Sequence, residues 1–204
     1  MRNGTVHLLC GLAAILTACV AQDSALAAAS EPFMATGGIT SQPIGHFEFC
    51  MVHRAECHLV TTRDPRVRLT PKRWNELTTV NATVNQTIEP ATDMAVYGRT
   101  EVWAYPTTRG DCEDVALLKR RDLIEKGWPV GALLMTVVRQ PNGEGHAVLT
   151  VLTDRGDLIL DNLRAPILVW SETGYQFVKR QSEFDTGEWV AISGAQDPLV
   201  GSLR

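Results

Sequence analysis

Three side chains with complementary chemistry lie in the second half of the chain: Cys112, His146 and Asp161. A nucleophilic thiolate wants a helix N-terminus, which lowers the thiol pKa, and a histidine within hydrogen-bond reach to pair with it and later protonate the leaving group. A carboxylate on the far ring nitrogen fixes the histidine tautomer. Cys112 sits in Gly110-Asp111-Cys112-Glu113-Asp114, where acids crowd a first helical turn, Lys119, Arg120 and Arg121 follow, and Gly127 stops the segment. That polarity suits the helix dipole and a glycine C-cap, and it puts Cys112 at the positive end. The competing reading is a buried helix thiol beside an ordinary hydrogen-bonding strand histidine.

The elements that must bring these residues together follow from periodicity. Residues 130–139 are β-rich, Pro141-Asn142-Gly143-Glu144-Gly145 is a turn, and residues 146–153 form a second strand. Asp154-Arg155-Gly156-Asp157 turns again into residues 158–161, so His146 starts one strand of an antiparallel meander and Asp161 ends the next. Residues 175–180 and 188–192 extend the sheet. Upstream, Thr70 as N-cap and Pro71 at the first helical position open a helix that ends before Pro90, with Trp74, Leu77, Asn81, Val84, Asn85 and Ile88 at helical spacing. Asn81 and Asn85 either sit at the wet edge of that stripe or use their amides to hold a neighbouring loop or active-site element. Residues 92–109 show no clear period and read as a long loop or short turns. Residues 30–69, with several Pro and Gly, read as an irregular N-terminal arm. Helices followed by a sheet of about five strands make an α+β fold.

Composition narrows the setting. The 204 residues carry 19 basic and 23 acidic side chains, a net charge of -4 with no basic block, so nothing would hold a phosphate backbone. One domain is the default for this length. Residues 1–29 have a basic flank, an apolar run over 8–20 and Ala-x-Ala exits, the order of a secretory signal peptide. Leu16-Thr17-Ala18-Cys19 competes as a lipobox that would anchor the chain through Cys19. Export leaves Cys50, Cys57 and Cys112, an odd count in an oxidising compartment, so one thiol, with Cys112 the one indicated, is either reactive or paired between molecules. Cys50 and Cys57 could close a small disulfide loop, remain free, or hold zinc with His53 or His58.

The stretch 110–114, Lys119 and Gly127, Gly145-His146-Ala147-Val148-Leu149 and Leu160-Asp161-Asn162 together resemble the bacterial transglutaminase-like cysteine peptidase family. Trp74, Asn81, Asn85, Asp93, Tyr97-Gly98 and residues 103–106 are similar to that family's lead-in. The resemblance spans residues 70–195, leaving 196–204 as a tail, and implies a papain-like or transglutaminase-like core. It implies Cys112 as nucleophile, His146 as base and then acid, and Asp161 as the orienting group in a periplasmic thiol hydrolase that cleaves a peptide bond through an acyl-enzyme. A lysine amine intercepting that intermediate would make the same machinery an acyl transferase. A catalytically silent envelope domain that binds a partner is the alternative from another class.

Members of the family resemble calcium-dependent proteases that process a surface adhesin in the cell envelope and are restrained by an inhibitory membrane receptor. On that likeness Ca2+ would sit on Asp111, Glu113 and Asp114, with no organic cofactor. The acids alone could simply favour the helix N-terminus, yet carboxylates beside Cys112 raise its pKa unless a cation or hydrogen bonds offset them. Val115 stands where a Tyr is common in the adhesin-processing members, and the Cys50/Cys57 arm has no counterpart assignable in them. The Cys112 N–H should supply one oxyanion donor, with Asn81 or Asn85 as side-chain candidates for another.

Overall fold

A computed structural model describes Met1, residues 31–61 and residues 63–193. The expected export segment apart from Met1, the Cys19 lipobox and the tail 196–204 lie outside the described residues. Regular structure starts inside the expected arm: β1 (Thr36–Thr40) is followed by α1 (Ile44–Val52). β1 pairs antiparallel with residues near the other end of the chain, Thr36 opposite Ile192 and Thr40 opposite Trp189. Such a pairing has no local signature, which is why the segment looks irregular as sequence.

Thr70 and Pro71 start α2 (Pro71–Thr87), the Thr70 hydroxyl accepting the Arg73 N–H at 3.2 Å. The stretch without period contains β2 (Glu89–Pro90), the short helix α3 (Asp93–Tyr97) and β3 (Arg109–Gly110). Asp111 precedes α4 (Cys112–Glu125), and Gly127 follows it at a φ of 79° that side chains disfavour. The sheet strands are β4 (Leu133–Arg139), β5 (Gly145–Thr153), β6 (Gly156–Leu160), β7 (Leu168–Val169), β8 (Gln176–Gln181) and β9 (Trp189–Ile192).

The fold is α+β, with one correction: the sheet has seven strands, ordered β1-β9-β8-β4-β5-β6-β7, not about five. Every neighbouring pair in it is antiparallel. The two extra strands, β1 and β7, are edge strands, and β7 is only two residues long. Strand alternation sends Leu149, Val151, Leu158 and Leu160 toward Leu77, Val84, Leu117 and Leu123 of the helices. Val138, Val148, Ile159 and Phe177 form a smaller core on the other face, closed by Met34 from the arm. Asp157, fully buried, ties that arm down by accepting the Met34 N–H at 2.8 Å and the Arg66 guanidinium at 2.6 Å. α4 is therefore enclosed for most of its length, which makes it a stiff mount for its first residue.

Candidate active site

Cys112 is the first residue of α4, half-buried, and the one free cysteine among the described residues. The turn before it is tightly wound. A Cβ on Gly110 would lie 2.8 Å from an Asp114 carboxylate oxygen, so only glycine lets Asp114 fold back there. Asp114 then accepts the Ala104 N–H at 2.8 Å and the Tyr97 hydroxyl at 3.4 Å, fixing the loop that carries Trp103.

β5 supplies the partner groups through consecutive residues. The Ala147 N–H reaches the Cys112 sulfur at 3.4 Å, and His146 Nε2 lies 2.9 Å from Asp161 Oδ1 just beyond β6. Asp161 also accepts the Leu163 N–H at 2.9 Å and the Tyr175 hydroxyl at 2.6 Å. Burial would raise the Asp161 pKa, but these bonds outweigh it and hold the carboxyl below its ordinary value. Tyr175 also packs edge-on against the His146 ring, so it braces both members of the pair. Cys112, His146, Ala147, Glu113, Trp103 and Lys179 line one open cleft of about 500 Å3.

The surroundings of the thiol are the reverse of what a resting thiolate needs. Burial, then the Glu113 carboxylate, push the Cys112 pKa well above its ordinary value. The sulfur donates to Glu113 Oε2 at 3.1 Å. Asp111 is itself raised by burial and then by Asp93 beside it, Glu113 by burial and then by Asp111, and burial lifts Asp114 to about 7. Carboxyl oxygens of Asp93, Asp111 and Glu113 lie within 4.8 Å of one another. Asp93 thus stands where Asp114 was expected. Successive helical residues project about 100° apart, and Asp114 is turned to Ala104 and Tyr97 instead.

The structure turns both asparagine amides toward the segment around Asp161. Asn81 Nδ2 donates to the Ala165 carbonyl at 3.2 Å and Asn85 Nδ2 to the Asp161 carbonyl at 2.8 Å, so both amides hold the segment that presents Asp161. Neither lines the Cys112 cleft. Lys119, only 1% exposed, lies two turns along α4 from Cys112, and burial pulls its pKa down to about 7 against the attraction of Asp161. Cys50 and Cys57 are joined as a disulfide. Sequence reasoning missed Tyr175 and left Asp93 without a role. An aromatic after a turn and an acid opening a short helix capped by Thr92 carry no local mark of function.

The chain matches the family model described as bacterial transglutaminase-like cysteine proteinase over residues 36–197. Among solved structures it is similar to calcium-bound LapG of Legionella pneumophila, with 28% identity over 61% of this chain and 71% of that one and a TM-score of 0.50. EGTA-treated LapG of the same organism matches with 30% identity over 61% and 69% of the two chains, also at a TM-score of 0.50. No curated protein matches at the same stringency.

Proposed function

Because the chain belongs to the bacterial transglutaminase-like cysteine proteinases, we propose that Cys112 is its nucleophile, His146 the base and then acid, and Asp161 the orienting carboxylate. The protein is a cysteine peptidase that works through an acyl-enzyme. One observation carries the residue assignment: the Ala147 N–H on the Cys112 sulfur and the His146–Asp161 bond come from neighbouring residues of one strand. With Nε2 committed to Asp161, Nδ1 is the nitrogen that serves the thiol.

The chemistry follows. His146 takes the Cys112 proton, the thiolate attacks the peptide carbonyl, and the Cys112 N–H at the start of α4 steadies the developing oxyanion. The imidazolium protonates the departing amine. Water, deprotonated by His146, then attacks the thioester, releasing the acid and restoring the thiol. A helix carrying the nucleophile against an antiparallel sheet carrying His and Asp is the arrangement of a papain-like or transglutaminase-like core.

The acid cluster fits a divalent cation. Asp93 Oδ1 and Asp111 Oδ1 are buried without hydrogen-bond partners, and hard oxygen ligands are what calcium takes. Asp93, Asp111 and Glu113 are the residues that would hold it. When bound, the cation supplies positive charge that offsets the carboxylate field on Cys112. LapG structures obtained with calcium and after EGTA treatment support this reading.

The reading extends to the setting. Residues 1–29 export the chain to the periplasm, with lipidation at Cys19 as the anchored variant, and the peptidase domain takes in β1 and α1 of the arm together with residues 70–195. The substrate is a protein of the cell envelope, and a membrane receptor restrains the enzyme. A single experiment tests the core: the purified chain is treated with a thiol-directed electrophile from pH 4 to 9, with and without calcium, and labelled sites are mapped by mass. Fast labelling of Cys112 at neutral pH with calcium, slowed by His146→Ala, is the expected result. A Cys112 that reacts only like a free thiol under all conditions would overturn the assignment.

A further inference from the structure

Helix α1 has a buried inner face and an exposed apolar stripe on its outer side, flanked by Glu48, which pairs with Arg99. Gly45, His46 and Phe49 make its buried inner face. Its outer face carries Ile44, Phe47 and Met51, exposed by 59%, 50% and 55%, at spacings of three and four that put them in one stripe. A contiguous exposed apolar stripe marks a contact surface.

The helix is also fastened more firmly than its 9 residues would manage alone. A Cβ on Gly45 would lie 2.2 Å from the Trp103 ring, so the backbone of α1 rests directly on that indole. His46 is kept neutral, burial pushing its pKa down to about 3, and lies 3.2 Å from the Trp189 indole nitrogen. Cys50 is tied to Cys57. These fastenings join α1 to the wall of the catalytic cleft, because Trp103, Pro43 and Ile44 all line it. Beyond Ile44 the stripe continues into a groove of about 310 Å3 lined by Phe47, Met51, Arg54 and His58.

We propose that the outer face of α1 is a docking surface for the polypeptide substrate and binds an apolar stretch flanking the scissile bond. This rests on the assignment of Cys112 as nucleophile. The occupant follows from continuity: Ile44 belongs to both the stripe and the cleft, so a chain crossing Cys112 and leaving past Ile44 runs onto Phe47 and Met51. Met51 lies about 10 Å from Ile44 along the helix, which extended peptide spans in about three residues. Selection for Leu, Ile, Phe or Met therefore falls on a stretch of about three residues distal to the cut, on one side only.

The test is digestion of a library of long peptides of known sequence by the intact chain with calcium, reading cut sites by mass spectrometry. Wild type, the Phe47→Ser/Met51→Ser double variant and Cys112→Ala are compared. Wild type is expected to favour apolar residues at the distal positions by about fivefold, the worth of one good apolar contact. The double variant loses that preference, keeps the preference next to the cut, and cleaves peptides too short to reach α1 at the wild-type rate. Cys112-dependent cutting with no distal preference, or with one the double variant retains, overturns the proposal alone. A double variant that changes only the oligomeric state overturns it too, making the stripe a surface for a second copy. Absence of Cys112-dependent cutting removes the nucleophile assignment and this proposal with it.

Discussion

The two halves of the active site are built on opposite terms. On the sheet side, both Asp161 oxygens have donors, His146 is clamped between Asp161 and the Tyr175 ring, and Asn85 holds the Asp161 carbonyl. On the helix side, the thiol faces Glu113, and two buried carboxylate oxygens of the adjoining acids have no partner. A satisfied network is stiff in its working geometry, whereas an unsatisfied one is stabilised by whatever brings the missing charge. On the proposed assignment the base is ready in advance, and the nucleophile would depend on a cation.

The harshest way to break this comparison is to remove one member from each half. Cys112→Ala and His146→Ala should each lower peptide cleavage by roughly 10³-fold or more, with the melting temperature little changed for Cys112→Ala and lowered for His146→Ala, which leaves buried Asp161 short of a donor. A smaller and asymmetric effect belongs to calcium. Because burial and Glu113 raise the Cys112 pKa, chelation should slow its labelling at pH 7 by about 10- to 100-fold and move the labelling midpoint to higher pH. Asp93→Asn should mimic chelation, so that added calcium no longer speeds labelling. If calcium acted on the sheet side instead, Asp93→Asn would leave its effect intact.

Tyr175→Phe sharpens the contrast from the other side. Losing one charge-assisted bond to Asp161 should cost about tenfold in kcat/KM and leave calcium dependence as it is. Lys119 gives the mildest effect. Its folded pKa of about 7 lies below the unfolded value of 10.5, so between those pH values the unfolded chain binds more protons and this group makes stability rise with pH. Lys119→Met should remove that slope and raise the melting temperature by a few degrees near pH 7, seen by calorimetry at pH 7 and pH 10.

Much of this was legible in the sequence because it is local. Thr70-Pro71 starts α2, Gly127 ends α4, and the turn residues at 141–145 and 154–157 set the meander that brings β5 and β6 side by side. Cys112 at a helix start, His146 near one strand start and Asp161 after the next strand follow from those elements. Asp93 was not legible as a member of the acid cluster, since it reaches Asp111 and Glu113 only after the chain has looped through residues 98–110. Tyr175 reaches Asp161 across the connection that carries the two-residue strand β7, a segment with no regular period in the sequence. The irregular look of residues 36–52 had the same cause: β1 gains its strand character from β9, and α1 gains its position from Trp103 and Trp189.

The sequence by itself determined the chemistry and the order in which it appears along the chain. Periodicity, caps and turn residues act over a few neighbours, and those interactions are written in adjacent positions. The tertiary structure alone decided which acids share a cluster, which groups brace Asp161, and which apolar side chains stay uncovered. Each of these depends on contacts between residues far apart in sequence, whose partners are chosen by packing and burial and leave no periodic trace.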